Sequence, residues 1–207
     1  SNVIYVTDGL TARFVSDNKE NEQVGLVASQ KQTEQIIIKA NELRHDGNSD
    51  KTYLKNQVQL IKEDFIIKPK EEVEIDSEDN MAYIRGGFTI DSKEQYVSGN
   101  TMTIYIDDDK AILKGDLVFE KLPSMNVDQE LDEQEKQLRE QSSLLYCDRA
   151  VYEDIDDQTD LLINGNIKLL QKDKHITAES GVYSQSRDYF ELEDNITIIL
   201  QNIDWLL

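Results

Sequence analysis

A five-residue pattern that recurs five times constrains the fold of this 207-residue chain more than any other feature. In each copy two apolar residues flank a central Gly, Asn or Asp, with one further residue on either side of that centre. The copies occupy residues 54–58, 84–88, 113–117, 163–167 and 192–196, at intervals of 30, 29, 50 and 29 residues. A fixed period of this size predicts a repeat architecture, in which each unit buries its apolar face by stacking on its neighbours.

The clearest copy lies within residues 161–169, where apolar and polar residues alternate on both sides of Gly165-Asn166. This pattern predicts two short extended segments that meet at a tight turn or a bulge. A period of 29 residues accommodates about three strands of typical length. A second marker stands 16 to 18 residues before the central Gly, Asp or Asn of four copies, and its small first residues are Ala40, Gly99, Cys147 and Ala178.

The sequence is typical of an all-β protein, because β-branched and aromatic residues fall inside the alternating runs. An Asp-Gly pair at 8–9 predicts a hairpin between strands at 3–6 and 10–15. About 15 strands are too many for one flat sheet, so we expect two packed antiparallel sheets around a shared apolar interior. The residues expected to face that interior are Val58, Leu60, Phe88, Ile90, Leu117, Phe119, Ile167, Leu169, Ile196 and Ile198.

The interval of 50 residues contains an insertion at about 121–143, in which the alternation stops. Good helix formers dominate it, with an Asn or Asp suited to capping and little apolar surface beyond Val127, Leu131 and Leu138. The insertion therefore predicts either a short solvated helix or a disordered loop. Apart from it, residues 1–207 are expected to form a single domain.

The net charge of −20 argues against two classes of partner. Nucleic acid is not expected, since affinity for phosphate backbones comes from clustered Lys and Arg. An anionic bilayer surface is disfavoured for the same reason. No apolar run approaches the roughly 20 residues of a membrane span, and no signal-peptide pattern occurs at Ser1. If the native protein is exported or anchored, we expect its signal or anchor to be absent from this sequence.

Few residues have the type or spacing of a metal or nucleophile site. His45 and His175 belong to different repeats at non-equivalent positions, and we interpret both as surface histidines. The acidic runs at 107–109 and 153–157 lie in inter-strand turns and lack the Gly of an EF-hand loop, which favours turn chemistry over calcium binding. Cys147 stands where other repeats have Ala or Gly, which predicts a small packed residue rather than a nucleophile.

No nucleophile elbow, phosphate loop or Gly-rich dinucleotide signature occurs in the sequence. We therefore predict no catalytic residue, no metal and no cofactor, and we do not expect an enzyme. A polysaccharide-active β-solenoid remains an alternative, but 42 acidic residues make any single carboxylate pair uninformative. The tyrosines Tyr105, Tyr152 and Tyr183 are expected to pack within the sheets or to form a rim around an apolar ligand.

The marker and the core together resemble the OstA-like repeat of periplasmic lipopolysaccharide-transport proteins of the LptA and LptC type. Residues 147–169 and 178–200 are the clearest copies, followed by 99–119, and the resemblance covers about 36–200. The insertion is not part of the family pattern. The resemblance implies a β-jellyroll, built as an open V-shaped pair of antiparallel sheets.

The resemblance also implies a function. In that family an apolar trough holds the acyl chains of lipopolysaccharide, and exposed strand edges join proteins end to end into a bridge between the inner and outer membranes. It therefore implies a periplasmic location, lipopolysaccharide and other β-jellyroll transport components as partners, and an end-to-end homo-oligomer. The ten inward residues would then bind lipid. Burial of acyl chains, at about 0.8 kcal/mol per CH₂, would supply the affinity, with the anionic head in solvent or bridged by divalent cations.

A different class of function is consistent with the same sequence. A structural or interaction module would use the strand edges or the acidic insertion to hold another protein, without any lipid. A filled interior without a trough would favour this alternative. An apolar inward face that is open to a ligand would favour lipid binding.

Overall fold

The computed structural model describes residues 3–7, 9–15, 35–62, 64–93, 95–108, 110–122, 142–155, 158–184 and 189–200. Within these ranges all regular structure is β-strand, in 18 strands. The first nine are β1 (Val3–Val6), β2 (Leu10–Val15), β3 (Gln35–Ala40), β4 (Glu42–Asp46), β5 (Lys51–Lys55), β6 (Gln59–Lys62), β7 (Phe65–Pro69), β8 (Val73–Asp76) and β9 (Met81–Ile84). The others are β10 (Phe88–Asp91), β11 (Gln95–Gly99), β12 (Thr101–Tyr105), β13 (Lys110–Lys121), β14 (Ser143–Ile155), β15 (Gln158–Gln171), β16 (Lys174–Ser184), β17 (Tyr189–Glu193) and β18 (Thr197–Leu200).

Hydrogen bonding joins these strands into one continuous antiparallel sheet that has two halves. In the first half the order is β1, β4, β5, β8, β9 and β12. In the second half it is β2, β3, β6, β7, β10 and β11. The long strands β13 to β16 run through both halves, and β17 and β18 follow β16 in the first and second half respectively. The all-β antiparallel prediction is confirmed, but the two sheets expected from the sequence are the two halves of one continuous sheet.

The recurring sequence pattern marks the places where the chain passes from one half to the other. Each of its five copies contains two consecutive residues with positive φ, for example Gly165 at 79° and Asn166 at 49°. Gly, Asn and Asp adopt this left-handed region at the lowest cost, which explains why they occupy the centre of the pattern. The ladder register shifts at the same points in β13, β14 and β15. The pattern is therefore a bulged corner and not a hairpin turn; it lies within a long strand at 113–117 and 163–167 and between two consecutive strands in the other three copies.

Side-chain hydrogen bonds connect neighbouring corners. The Asn166 amide donates to the Asp148 carboxylate over 2.7 Å, and the Asn195 amide donates to the Glu179 carboxylate over the same distance. Backbone bonds run alongside, since the amide N–H of Glu179 donates to the carbonyl of Asp194 at 3.1 Å. A corner interrupts the ladder and would leave backbone N–H and C=O groups without partners. Hydrogen bonds to the neighbouring strand stabilise it.

The structure corrects two sequence-based expectations about the strands. One 29-residue repeat contains four strand segments and not three, because each repeat contributes two segments to each half of the sheet. The hairpin expected at 3–6 and 10–15 is wrong, since β1 pairs with β4 and β2 pairs with β3. Gly9, with φ at 99°, lies between strands of different halves and so belongs to the series of corners.

The core follows the line of corners and includes inward side chains of both halves. The residues next to the corners are nearly inaccessible, and they include Leu54, Val73, Ile84, Phe88, Leu117, Ile163 and Ile167. These are the apolar positions of the recurring pattern and their partners on adjacent strands. The repeats therefore do bury their apolar faces together.

The outer face of the first half carries a cluster of paired charges. The Lys51 ammonium lies 2.8 Å from the Glu74 carboxylate and 3.0 Å from that of Asp76, and Arg85 lies 2.8 Å from Glu74. The hydrogen bond from Lys51 lowers the pKa of both carboxyl groups, and those bonds in turn raise the pKa of Lys51. The cluster therefore stabilises the fold above the ordinary carboxyl range and loses this effect as the pH falls through the lowered pKa values.

The insertion predicted at about 121–143 falls mostly on residues 123–141, which lie outside the described residues. Strand β13 extends to Lys121 and β14 begins at Ser143, so the insertion connects two neighbouring antiparallel strands.

Candidate functional site

The ten residues predicted to face the interior all lie on strands or corners, but their burial differs. Seven belong to the packed interior: Val58, Leu60, Phe88, Leu117 and Ile167 are buried, and Ile90 and Phe119 are half-buried against them. Leu169 is half-buried, whereas Ile196 and Ile198 are 49% and 58% exposed. The inward direction of Ile198 follows from its register with Ile176, which is itself paired with Leu169.

The inward residues form rows that run across the strands. The first row lies next to the corners, and the second row lies two residues further out on each strand. In the second half of the sheet the second row consists of Ile38, Leu60, Ile67, Ile90, Val97, Phe119, Leu145, Leu169, Ile176 and Ile198.

Burial along the second row divides the interior into two sections. From β3 to β13 the row contains buried members in both halves, namely Ile38, Leu60, Val97, Ala82 and Ala111. We call this part the closed section. From β14 to β18 none of the described members is buried, and we call this part the open section. Its members are Leu145, Leu169, Ile176, Ile198, Tyr152, Leu161, Tyr183 and Phe190.

The first row differs only in part between the two sections. In the closed section it contains large side chains, such as Ile84, Phe88 and Leu117, which fill the space between the halves. In the open section β14 contributes Cys147 and Ala150 and β16 contributes Ala178 and Gly181, whereas β15 between them contributes the fully buried Ile163 and Ile167. The position of β18 at the edge of the sheet accounts for the exposure of Ile198. It does not account for the exposure of the second-row residues on β14 and β15, because these strands have neighbours on both sides.

The aromatic residues of the open section were only partly identified from the sequence. Tyr152 is 36% exposed and pairs with Leu161, which in turn pairs with Tyr183. The rings of Tyr183 and Phe190 lie 6.3 Å apart, in a tilted arrangement that favours packing. Tyr105 does not belong to this group, because it follows the inward residue Ile104 and therefore lies on the outer face, with the Lys110 ammonium 6.0 Å from its ring.

Sequence reasoning missed Leu145, Ile176 and Phe190, because it extended each core only toward the following residues. A usable signal existed, since Ile176 lies two residues before the marker residue Ala178 and Leu145 lies two residues before Cys147. Both have the apolar alternation of the predicted residues. Antiparallel pairing brings both next to Leu169.

The other candidate residues form no reactive site in the described part of the chain. Cys147 is buried, and desolvation raises the pKa of its thiol to about 12, as expected of a packed structural residue. His45 is partly buried, and its Nδ1 lies 3.0 Å from the hydroxyl of Thr52. His175 is also partly buried, so neither is a fully exposed surface histidine. Among the described residues, no group of three or more His, Cys, Asp or Glu side chains could hold a metal ion. Asp107 and Asp108 are among the residues to which this applies.

A concavity of about 400 Å³ lies on the outer side of the sheet, near the corners of β13, β14 and β15. Three of its polar side chains already have partners, since Asn166 donates to Asp148 and the nearby Asn100 donates to Asp116. The outward residues Val118, Tyr146 and Lys168 also line it. This concavity is a consequence of the corners, and the apolar open section remains the better candidate site.

Across the described ranges there is no helix long and apolar enough to cross a membrane.

Comparisons with known proteins agree with this fold. No protein-family model matches the sequence, and no curated protein does. A similar solved structure is that of LptH from Pseudomonas aeruginosa, described as the LptA-homologous periplasmic component of the conserved lipopolysaccharide transport device. The match covers 66% of this chain and 94% of LptH, with a TM-score of 0.51 and 15% sequence identity. At this identity the match shows a shared jellyroll fold.

Proposed function

We propose that this protein binds the acyl chains of lipopolysaccharide in its open section and carries the lipid through the periplasm between the inner and outer membranes. The observation that supports the proposal is the apolar second row of the open section, where Leu169, Ile176 and Ile198 are partly or largely exposed. Exposed contiguous apolar surface on a soluble fold marks a binding site. The shared fold with LptH, a periplasmic component of a lipopolysaccharide transport device, supports the choice of ligand.

The energetics favour acyl burial over recognition of the lipid head. Each buried CH₂ contributes about 0.8 kcal/mol, so ten of them offset a large part of the cost of association. The chain has a net charge of −20, which repels a phosphorylated head group. The head therefore stays in solvent or is bridged by divalent cations. If cations bridge it, added Mg²⁺ raises the affinity; a head in solvent gives no such increase beyond ordinary screening.

Two adjacent residues of the edge strand provide a matched test. Ile198 lies on the inward face and Thr197 on the outward face of β18, and both are exposed, so either accepts a carboxylate without breaking the fold. In a titration with lipid A, Ile198→Asp is expected to weaken binding at least tenfold, because a charge next to acyl chains must be desolvated. Thr197→Asp is expected to bind like the wild type. Unchanged binding by Ile198→Asp would show that acyl chains do not contact this face.

A second candidate function is a protein-interaction module, which the filled closed section favours. Among the described strands, β1 and β18 each pair on one side only, and Ile4, Tyr5, Ile199 and Leu200 on them are exposed. Unpaired edges of this kind are templates for a strand of another chain. We therefore propose other β-jellyroll transport components, and further copies of this chain joined end to end, as protein partners. Association that is abolished by a proline in β18, in a preparation free of lipid, would establish this function independently.

A further inference from the structure

The inward face of the second half of the sheet carries a third row of side chains beyond the first and second rows. Side chains alternate between the two faces of a strand, so the residue two positions beyond each second-row residue also faces inward. Because the rows are counted from the corners outward, the third row borders the opening between the two halves. Its described members are Ile36, Lys62, Phe65, Gln95, Lys121, Ser143, Gln171, Lys174 and Leu200.

The charged residues among these described members are all lysines, namely Lys62, Lys121 and Lys174. The uncharged polar members are two glutamines and a serine, and no described member is Asp or Glu. The whole chain has 42 acidic and 22 basic residues, so composition would favour carboxylates at these positions. The third row is therefore a local exception to the negative charge of the chain, and we call it the lysine edge.

The opposite side of the opening, formed by turns of the first half, has the reverse charge. Its described turns at 47–50, 77–80 and 106–108 contain five Asp or Glu residues, and these three turns contain no Lys or Arg. The two sides of the opening therefore differ in the sign of their charge. An anionic group at the opening is repelled by the turns of the first half and attracted by the lysine edge.

Two lysines of this edge border the open section and are available to a ligand. Lys121 is exposed and Lys174 is half-buried, and in the described part of the chain neither forms an ion pair. They lie on β13 and β16, three strand spacings or roughly 14 Å apart. Between them β14 and β15 place Ser143 and Gln171 in the same row. The second-row residue Leu169 lies two residues deeper than Gln171, so the polar edge is continuous with the apolar candidate site.

We infer that the anionic head of the bound lipid lies along the lysine edge, where Lys121 and Lys174 bind its phosphate groups. Lysine ammonium groups bind phosphate as compact point charges. Ser143 and Gln171 donate hydrogen bonds to the head between them. The inference rests on the proposed function and makes it more specific, because it places the head on one side of the opening. The head stays in contact with solvent, and no bridging cation is needed to hold it there.

Binding titrations of the full chain with two lipids test the inference. The lipids are lipid A and the same lipid after enzymatic removal of its phosphate groups, both in EDTA so that no divalent cation bridges the head. We expect Lys121→Gln/Lys174→Gln to weaken lipid A binding at least fivefold and to bind the dephosphorylated lipid within twofold of the wild type, because only charge-assisted contacts are lost. The matched control is Lys114→Gln/Lys168→Gln, which changes the net charge equally at exposed outward positions of β13 and β15. The control should bind both lipids like the wild type.

The other outcomes separate the inference from the proposed function. Equal losses in the two double variants would assign the effect to net charge and overturn the lysine edge. Unchanged lipid A binding by Lys121→Gln/Lys174→Gln would also overturn it, while acyl-chain binding would stand. If the wild type bound neither lipid, the proposed function and the inference would both be wrong.

Inorganic phosphate distinguishes the two possible sources of the anionic group. In large excess, and compared with chloride at the same ionic strength, it should not displace lipid A, because it buries no apolar surface. Displacement by phosphate would indicate a site for the free anion and overturn the assignment to the lipid head.

Two amide-to-acid substitutions on β15 give a second test that adds a charge without changing the shape of the side chain. Gln171→Glu places a carboxylate between the two lysines of the edge and is expected to weaken lipid A binding at least threefold, because it repels phosphate. Asn164→Asp adds the same charge at an exposed outward position of the same strand and is expected to leave the affinity unchanged. Equal effects of the two substitutions would contradict a head bound at the lysine edge.

Discussion

Replacement of Phe88 by Ala measures how completely the closed section is filled. The Phe88 side chain is fully buried, and its ring leaves no room for a Cβ on Gly99. A buried Phe→Ala substitution in a core that cannot collapse costs about 3–5 kcal/mol. The surrounding strands are held by ladder pairing to both sides, which limits such a collapse. We therefore expect Phe88→Ala to lose about 4 kcal/mol of unfolding free energy.

Urea unfolding followed by circular dichroism provides the measurement. With a slope of about 2.5 kcal/mol/M, a loss of 4 kcal/mol moves the midpoint down by about 1.6 M. The control is Ile198→Ala, where the side chain is 58% exposed and the loss should stay below about 0.5 kcal/mol. Adding Gly99→Ala to Phe88→Ala should recover part of the loss, because the Leu117 methyl group that the new Cβ meets can move into the space that the ring occupied. A loss below about 1.5 kcal/mol for Phe88→Ala would refute a filled closed section.

Three further predictions concern the corners, the charge cluster and the thiol. Asn166→Ala should lower the free energy of unfolding by about 1–2 kcal/mol, because Ala at φ 49° is strained and the hydrogen bond to the Asp148 carboxylate is lost. In the same urea assay the control Asn164→Ala should lower it by less than about 0.5 kcal/mol. Lys51→Met should reduce the loss of thermal stability between pH 5 and pH 2, since Lys51 holds the pKa of Asp76 below its usual range; an unchanged loss would contradict this cause. Cys147 should react with a thiol reagent at pH 8 only after unfolding, because its pKa is about 12 and its side chain is buried; rapid reaction of the native protein would contradict this burial.

The sequence was sufficient to predict an all-β antiparallel fold built on the recurring pattern. The reason is that the left-handed backbone at each corner favours Gly, Asn or Asp, and burial of the flanking positions favours apolar side chains. Both preferences leave a visible signature. The role of the corner was not predictable, because Gly165-Asn166 has the same local signature in a hairpin and in a bulge. Only long-range pairing distinguishes them, as with β1 and β2, whose partners are β4 and β3.

The sequence predicted which side chains face the interior, but not how far the accessible part of the interior extends. Alternation identified Leu169 and Ile198 as inward residues, and their pairing through Ile176 agrees with this. Alternation does not report burial, however, and does not distinguish the buried second-row residues of the closed section from the accessible ones of the open section. That difference depends on which strands are neighbours. Lipid binding itself stays a prediction.

The most direct test of the central claim is photocrosslinking of lipid A from inward and outward positions on the same strands. Probes at Leu169 and Ile198 face the interior, and probes at their neighbours Lys168 and Thr197 face outward. We predict crosslinks from the inward pair alone, because the acyl chains lie against the second row of the open section. Crosslinks from neither pair, or equal crosslinks from both, would contradict acyl-chain binding in the interior.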